Sequence, residues 1–471
     1  MSTLSQIWKK AMQRIPASME KKGQRIVIFV DIPDPDNILM IIYLLRHYQT
    51  HNHDGKIAIV LSPRAIDFSI PSYGAQFPVL RKAFPGDFKA LIMPIRNEDL
   101  LKERMKTVPE EFKPWFYVDE GCNNKNVLDD TLLYMEVSIL RTIHTLDRQR
   151  FSRNDYEVYW DQSSLDCSED HEMKKLGNPA MRHAFHSHDF TYDFDDRELE
   201  QYRKIIRGYQ GAPNPELRSK LRALCIRYRN RMRRQLGKPA SGKEDNGKFE
   251  DLVLSRQTHN IHRDGPLPNI RLIIGGPFTE ALRYLSGVAI QPPDGVLDKA
   301  YRLEATIMAG SRDTSKNIFP NQFNIYADVA AAASVFRMWD DWKIPTMIVP
   351  TECVKSSEYQ FTLEEAEQML NKSEHLKTLV KRFDADTGKS GIWCGFDVIA
   401  AVAHVQKDIY TWEPVRGDYS DVEGPASNKP YEFKPAPGST LLMAIPDKEY
   451  MAKNRDELEG KIASCVVEDV D

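Results

Sequence analysis

Short, mostly apolar runs alternate with longer segments of helical period along two stretches of the chain. The runs are Ile26–Val30, Lys56–Leu61, Leu91–Ile95, Asn269–Ile274, Tyr301–Met308 and Thr346–Val349. Fully buried parallel strands have this look, because both faces of the sheet are covered. Helical spacing of apolar residues marks Ile38–Leu45, Asp129–Leu146, Glu280–Leu285, Asp328–Trp339, Glu364–Arg382 and Phe396–Val405. The repetition predicts an α/β fold with a mainly parallel, Rossmann-like central sheet flanked by helices.

Between about 148 and 268 the pattern breaks. Charge and aromatics dominate, strand signals are weak, and Lys238–Lys248 reads as a mobile loop. The stretch Glu198–Leu236 is helical in period and dense in arginine. A surface for nucleic acid is the sharper reading. A solvated helix pairing with the acidic run Asp189–Glu200 is preferred, since charge runs usually solvate. The expected organisation is an N-terminal helix or extension over 1–24, an α/β domain from 25–147 and 269–445, a largely helical insertion over 148–268, and a C-terminal tail over 446–471.

Composition narrows the class without naming a function. Of 471 residues, 41% are hydrophobic and 28% charged, and no apolar run is long enough to span a bilayer. The six cysteines lie far apart without CxxC pairs, which predicts reduced thiols and a cytoplasmic protein. A net charge of −4 decides nothing about nucleic acid.

Candidate chemistry gathers where strands end and helices begin. Three carboxylates, Asp31, Asp34 and Asp36, follow the first strand within six positions. Clustered carboxylates repel, so a hard cation bound through oxygens is one reason for them; an acidic helix cap with solvated turn residues is the other. Three further strand-to-helix stretches belong on the same sheet edge: Gly275-Gly276, Asn321–Asn324, and the helix start at Asp397. Carboxylates from both ends of the chain, with a carbonyl from a glycine turn, would make an oxygen-only cage.

Those blocks resemble the inosine-uridine preferring nucleoside hydrolase family. VDIPDPDNILMIIYLL is similar to the family's aspartate-rich opening loop, and Gly275–Thr279 to its G-P-L-T-N turn. NQFNIYADVAAAASVF at 321–336 resembles its E-F-N-x-x-x-D-P-x-A-A signature, and FDVIAAVAHVQKDIYTWEP at 396–414 its late H-D segment. The resemblance covers roughly 1–100 and 268–420. It implies a calcium-assisted hydrolysis of an N-glycosidic bond in a small nucleoside-like substrate. Residue by residue it makes Asp31 a metal ligand or the base, Asp36 (or Asp34, one register away) a metal ligand, Gly275 a carbonyl ligand and Asp397 a metal ligand. Asn324 would bind the sugar.

The departures are as informative. The family's ribose-binding asparagine is matched by Arg64, the glutamate before Asn324 by Gln322, and the asparagine of the glycine turn by Glu280. The leaving-group histidine is replaced by Phe396, and His404 two turns on reads as a core residue. Two functions follow. One is an active glycosidase with an altered substrate, such as one carrying a phosphate for Arg64. The other is a protein of the same fold that binds a nucleotide-like ligand or a macromolecular partner and catalyses little. No membrane partner is expected, nucleic acid is disfavoured, and a homo-oligomer is compatible with the sequence.

Overall fold

The computed structural model describes residues 25–31, 35–51, 57–62, 124–160, 196–197, 200–201, 215–237, 247–248, 269–289, 302–317, 322–326, 329–387, 391–418 and 432–470. Asp34, Arg64 and the strand expected at Leu91–Ile95 lie outside them.

The first strand, β1 (Arg25–Val30), is followed by α1 (Pro35–Thr50) and β2 (Ile57–Leu61). After α2 (Asn124–Arg148) come β3 (Tyr156–Trp160), α3 (Pro215–Gln235) and β4 (Gly247–Lys248). The second half supplies β5 (Asn269–Gly275), α4 (Thr279–Ala289), β6 (Arg302–Met308), α5 (Phe323–Tyr326), α6 (Val329–Asp341), β7 (Thr346–Val349) and α7 (Thr351–Val354). A small hairpin, β8 (Phe361–Thr362) with β9 (Ile392–Trp393), brackets α8 (Leu363–Met369) and α9 (Glu374–Thr387). The chain closes with α10 (Phe396–Val405), β10 (Thr411–Asp418), β11 (Glu432–Pro435), β12 (Leu441–Ile445) and α11 (Lys448–Cys465).

The ten strands of the main sheet run β11-β10-β12-β7-β6-β5-β1-β2-β3-β4. All neighbours from β12 to β4 are parallel, while β10 pairs antiparallel with β11 and β12. From β1 the chain builds outward through β2, β3 and β4, then returns to lay β5 on the other side of β1. Neighbouring crossovers therefore diverge between β1 and β5. That is the topological switch point, where an open α/β sheet leaves a crevice at its carboxyl edge.

Alternation along β1 divides the core. Ile26, Ile28 and Val30 face one layer with α1, α2, α10 and α11, whereas Val27 and Phe29 face the other with α4 and α6. Strands buried on both faces need no polar alternation, which is why IVIFV is continuous in sequence. Helix α10 packs along α1. Its apolar run is buried from Val398 to Ala403, which fixes two helix N-termini side by side.

The observed architecture revises the expected division. The stretch set aside as an insertion gives β3 and β4 to the sheet, β4 within the segment expected to be a loop. Glu157 inside YEVYW interrupts the apolar run and hides its strand character. The expected tail is also structural: Met451, Leu458 and Ile462 of α11 are buried against the core. Charges on every turn of that helix mask so narrow a stripe. The single helix expected over Glu364–Arg382 is two, α8 and α9. Two arginines of α3 meet α2: Arg233 Nε donates to Glu136 at 2.7 Å, and Arg229 reaches the same carboxylate at 3.4 Å; most of the acidic run Asp189–Glu200 lies outside the described residues.

Candidate functional site

Register sets the site before any side chain does. Val30, the last residue of β1, pairs with Leu61 of β2 and Gly275 of β5, so Asp31, Ser62 and Gly276 leave the sheet together at the switch point. The N–H of Ser62 donates to the carbonyl of Val30 at 2.8 Å, extending the β1–β2 pairing by a residue. A Cβ on Gly276 would stand 2.5 Å from the backbone nitrogen of Asp31. Only glycine lets the two strand ends approach this closely.

Asp36 sits in the first turn of α1 and Asp397 in the first turn of α10. Both are buried, at 7% and 6% exposure. The N–H of Asp397 donates to Oδ2 of Asp36 at 3.3 Å, which joins residues 361 positions apart. Carboxylates at helix N-termini gain from orphan N–H groups and the helix dipole. Here the first-turn acid of α1 also serves the first turn of α10. The amide of Asn37 donates to Oδ1 of Asp31, joining the end of β1 to the first turn of α1.

Electrostatics sharpen the picture. Burial, then the charges of Asp36 and Asp31, pushes the carboxyl of Asp397 well above the ordinary range for aspartate. Its Oδ1 is buried without a hydrogen-bond partner. The same atom lies where a Cβ on Gly275 would be, 2.6 Å from that position, with Met40 Cε at 2.9 Å. A side chain on Gly275 would displace the Asp397 carboxylate or the end of Met40. Among the described residues no group of three or more His, Cys, Asp or Glu side chains could hold a metal ion.

The remaining sequence-predicted residues fall into two sets. Beside the aspartates, Phe396 precedes Asp397 and is half-buried, with the ammonium of Lys355 5.8 Å above its ring centroid. Glu280 is fully buried in the first turn of α4. At the end of β6 the roles are different. Gln322 accepts from the N–H of Gly310 and donates to Thr351 Oγ1, each at 2.6 Å, and so ties β6 to α7. Asn324 donates to the carbonyl of Met308 at 3.0 Å. His404 is a core residue: its Nε2 is 2.9 Å from Tyr48 Oη and its Nδ1 2.8 Å from Thr306 Oγ1.

Asn37 is the residue the sequence reading passed over. Its signal was only its place one residue after Asp36, since nothing in the chain shows that its amide reaches Asp31. Cys353, Cys394 and Cys465 are free thiols, and no helix of the described residues is long and apolar enough to cross a membrane.

No family model and no curated protein matches the chain. Solved structures of similar shape include a purine-preferring ribonucleoside hydrolase from Gardnerella vaginalis, with TM-score 0.45, 12% identity, and coverage of 94% of this chain and 99% of that one. A plant nucleoside hydrolase gives TM-score 0.46 and 12% identity over 94% of this chain and 98% of its own. A type III effector complexed with adenosine diphosphate ribose gives 0.44 and 10% over 99% and 100%. The α/β class of this chain follows from its own strand order and register.

Proposed function

We propose that this chain is a calcium-assisted N-glycosidase acting on a nucleoside-like substrate, a ribonucleoside or a nucleotide. The observation that carries the reading is the pairing of Asp36 and Asp397 at adjacent helix N-termini, with Asp31 near enough for its charge to raise the carboxyl of Asp397 and with Asp397 Oδ1 buried and unpartnered. Uncompensated buried carboxylates are costly, and the donor set is all oxygen, as a hard cation prefers. The residues that would hold calcium are Asp31, Asp36 and Asp397 with the carbonyl of Gly275; Asp34 is the alternative to Asp36. When bound, the ion would lower the pKa of a water and anchor sugar hydroxyls.

The chain's own residues supply the rest. Asp31, at the carboxyl end of β1, accepts the proton of the attacking water. The water oxygen bonds to the anomeric carbon while the bond to the base nitrogen breaks, and that electron pair leaves with the base. Phe396 offers a ring face and no proton, so the departing base is protonated by solvent. His404 does not fill that role, because Tyr48 and Thr306 engage both ring nitrogens inside the core. Lacking an acid typically costs about 10²–10⁴-fold in rate. The reading therefore favours a substrate whose base departs readily.

Titration calorimetry with calcium is the first test; the absence of any divalent-ion uptake would remove the enzyme reading. A screen of ribonucleosides, deoxynucleosides and nucleotides for release of free base follows. Gln322 and Asn324 favour a second reading, a ligand-binding protein of weak catalysis, because their amides hold backbone and Thr351. Calcium uptake and ligand binding without base release would select it.

A further inference from the structure

We infer that the Tyr48–His404 contact pins α10 in register against α1, and that His404 is thereby a positioning residue for the Asp36–Asp397 pair at the other end of both helices. The bearing on catalysis rests on the glycosidase reading, whereas the pin itself does not.

Apolar packing specifies the place of α10 weakly. Its buried run, Val398 to Ala403, consists mostly of alanine and valine. Hydrophobic burial is non-directional, so neighbouring registers of so uniform a surface differ little in area buried. Hydrogen bonds are directional, and a buried polar group left unpaired is costly. His404 makes two of them at the C-terminal end of α10. Its Nε2 stands 2.9 Å from Tyr48 Oη on α1, and its Nδ1 2.8 Å from Thr306 Oγ1 on β6. All three residues are buried.

The ring chemistry suits the task. Burial, with the charges of Arg271, Lys407 and His47 nearby, keeps the imidazole neutral. A neutral ring offers one N–H and one lone pair, and a hydroxyl can answer either. Arg271 of β5 adds a longer contact, Nη1 to Tyr48 Oη at 3.4 Å, and is itself ion-paired with Glu304 of β6. The far end of α10 is thus located against α1 and against the sheet together. At the near end tolerance is small. The bond from the Asp397 N–H to Asp36 Oδ2 is already long at 3.3 Å, and the Asp397 carboxylate lies where a side chain on Gly275 would be. A shift of α10 would therefore be felt first at Asp397.

Tyr48→Phe removes one hydroxyl and keeps the ring, and Thr306→Val breaks the contact at the other ring nitrogen. Amide hydrogen exchange on the full chain, without added metal, reads the pin directly. In each variant the Asp397 N–H is expected to exchange faster, by about 2–10-fold beyond any change at the amides of β1. Equal changes at Asp397 and β1, or none at either, would overturn the positioning role, since a merely structural loss would open both alike. Base release is then measured on whichever nucleoside or nucleotide the wild type cleaves fastest. A fall in kcat of about 10–100-fold is expected, with KM little changed, because alignment is lost and no substrate contact is removed. An unchanged kcat would overturn the catalytic half. If wild type releases no base from any of them, the glycosidase reading fails, while the exchange experiment still decides the pin.

Discussion

The carboxylate of Asp397 occupies the space that a side chain on Gly275 would need, with Oδ1 2.6 Å from the ideal Cβ position. A glycine at the end of β5 and an acid at the start of α10 are thereby specified together. Gly275→Ala forces Asp397 or Met40 aside, and overpacking of this kind typically costs about 1–3 kcal/mol. A lowered thermal midpoint and a smaller calcium-induced shift are expected. An unchanged midpoint would mean that the carboxylate does not rest there.

Asp397 is held as a buried acid against two like charges, so its ionised form weakens the metal-free fold. Asp397→Asn keeps the shape and removes the charge. Differential scanning fluorimetry should show a higher midpoint in chelator and no stabilisation by calcium. A lower metal-free midpoint would contradict the electrostatic account. In the same assay series, Asp31→Asn should lose about 10²–10⁴-fold of any base-releasing activity, as expected for removal of a general base.

His404 predicts how stability follows pH. Burial, with Arg271, Lys407 and His47 nearby, holds its imidazole neutral well below the ordinary histidine range. Burial likewise lowers His47 to about 4. Above about pH 6.5 both folded and unfolded forms are neutral, and stability is complete. As pH falls below that value the unfolded chain binds protons that the folded chain refuses, so stability is lost toward acid. His404→Gln should flatten the slope of the unfolding free energy between about pH 6.5 and 5. A slope equal to wild type would show that His404 does not contribute to it.

The C-terminal residues clasp the helical layer. Asp469 accepts from Gln149 Nε2 at 3.1 Å, Ser373 Oγ at 2.7 Å and the N–H of His375 at 2.9 Å. It thus helps cap α9 from the far end of the chain. Gln149 pairs with both backbone groups of Val467, and Arg46 of α1 donates to the Gln149 carbonyl at 2.8 Å. Gln149 and Ser373 are fully buried, so Asp469→Ala leaves their polar groups short of a partner. A loss of about 1–3 kcal/mol in denaturant unfolding is expected. A variant within a few tenths of wild type would show that the clasp contributes nothing.

The sequence by itself determined the strands nearest the switch point, β1, β2, β5, β6 and β7, and the acids that follow β1. Runs such as IVIFV and NIRLII sit in a sheet covered on both faces, and their period is written into the chain. It also determined that His404 belongs to the core, since an apolar helix with one imidazole has few other places to put it. Only the tertiary structure decided which acids meet. Asp36 and Asp397 become neighbours because α1 and α10 pack together, and the Asn37 amide of α1 reaches Oδ1 of Asp31. Gln322 and Asn324 stand at the sugar side of the resemblance, and their bonds to Gly310, Thr351 and Met308 arise from how β6 and α7 dock. Local propensity acts over a few residues, whereas these contacts depend on helix docking and strand order that no short stretch encodes. For the same reason YEVYW, which carries a charge, and the thinly striped α11 became legible only once their partners were in place.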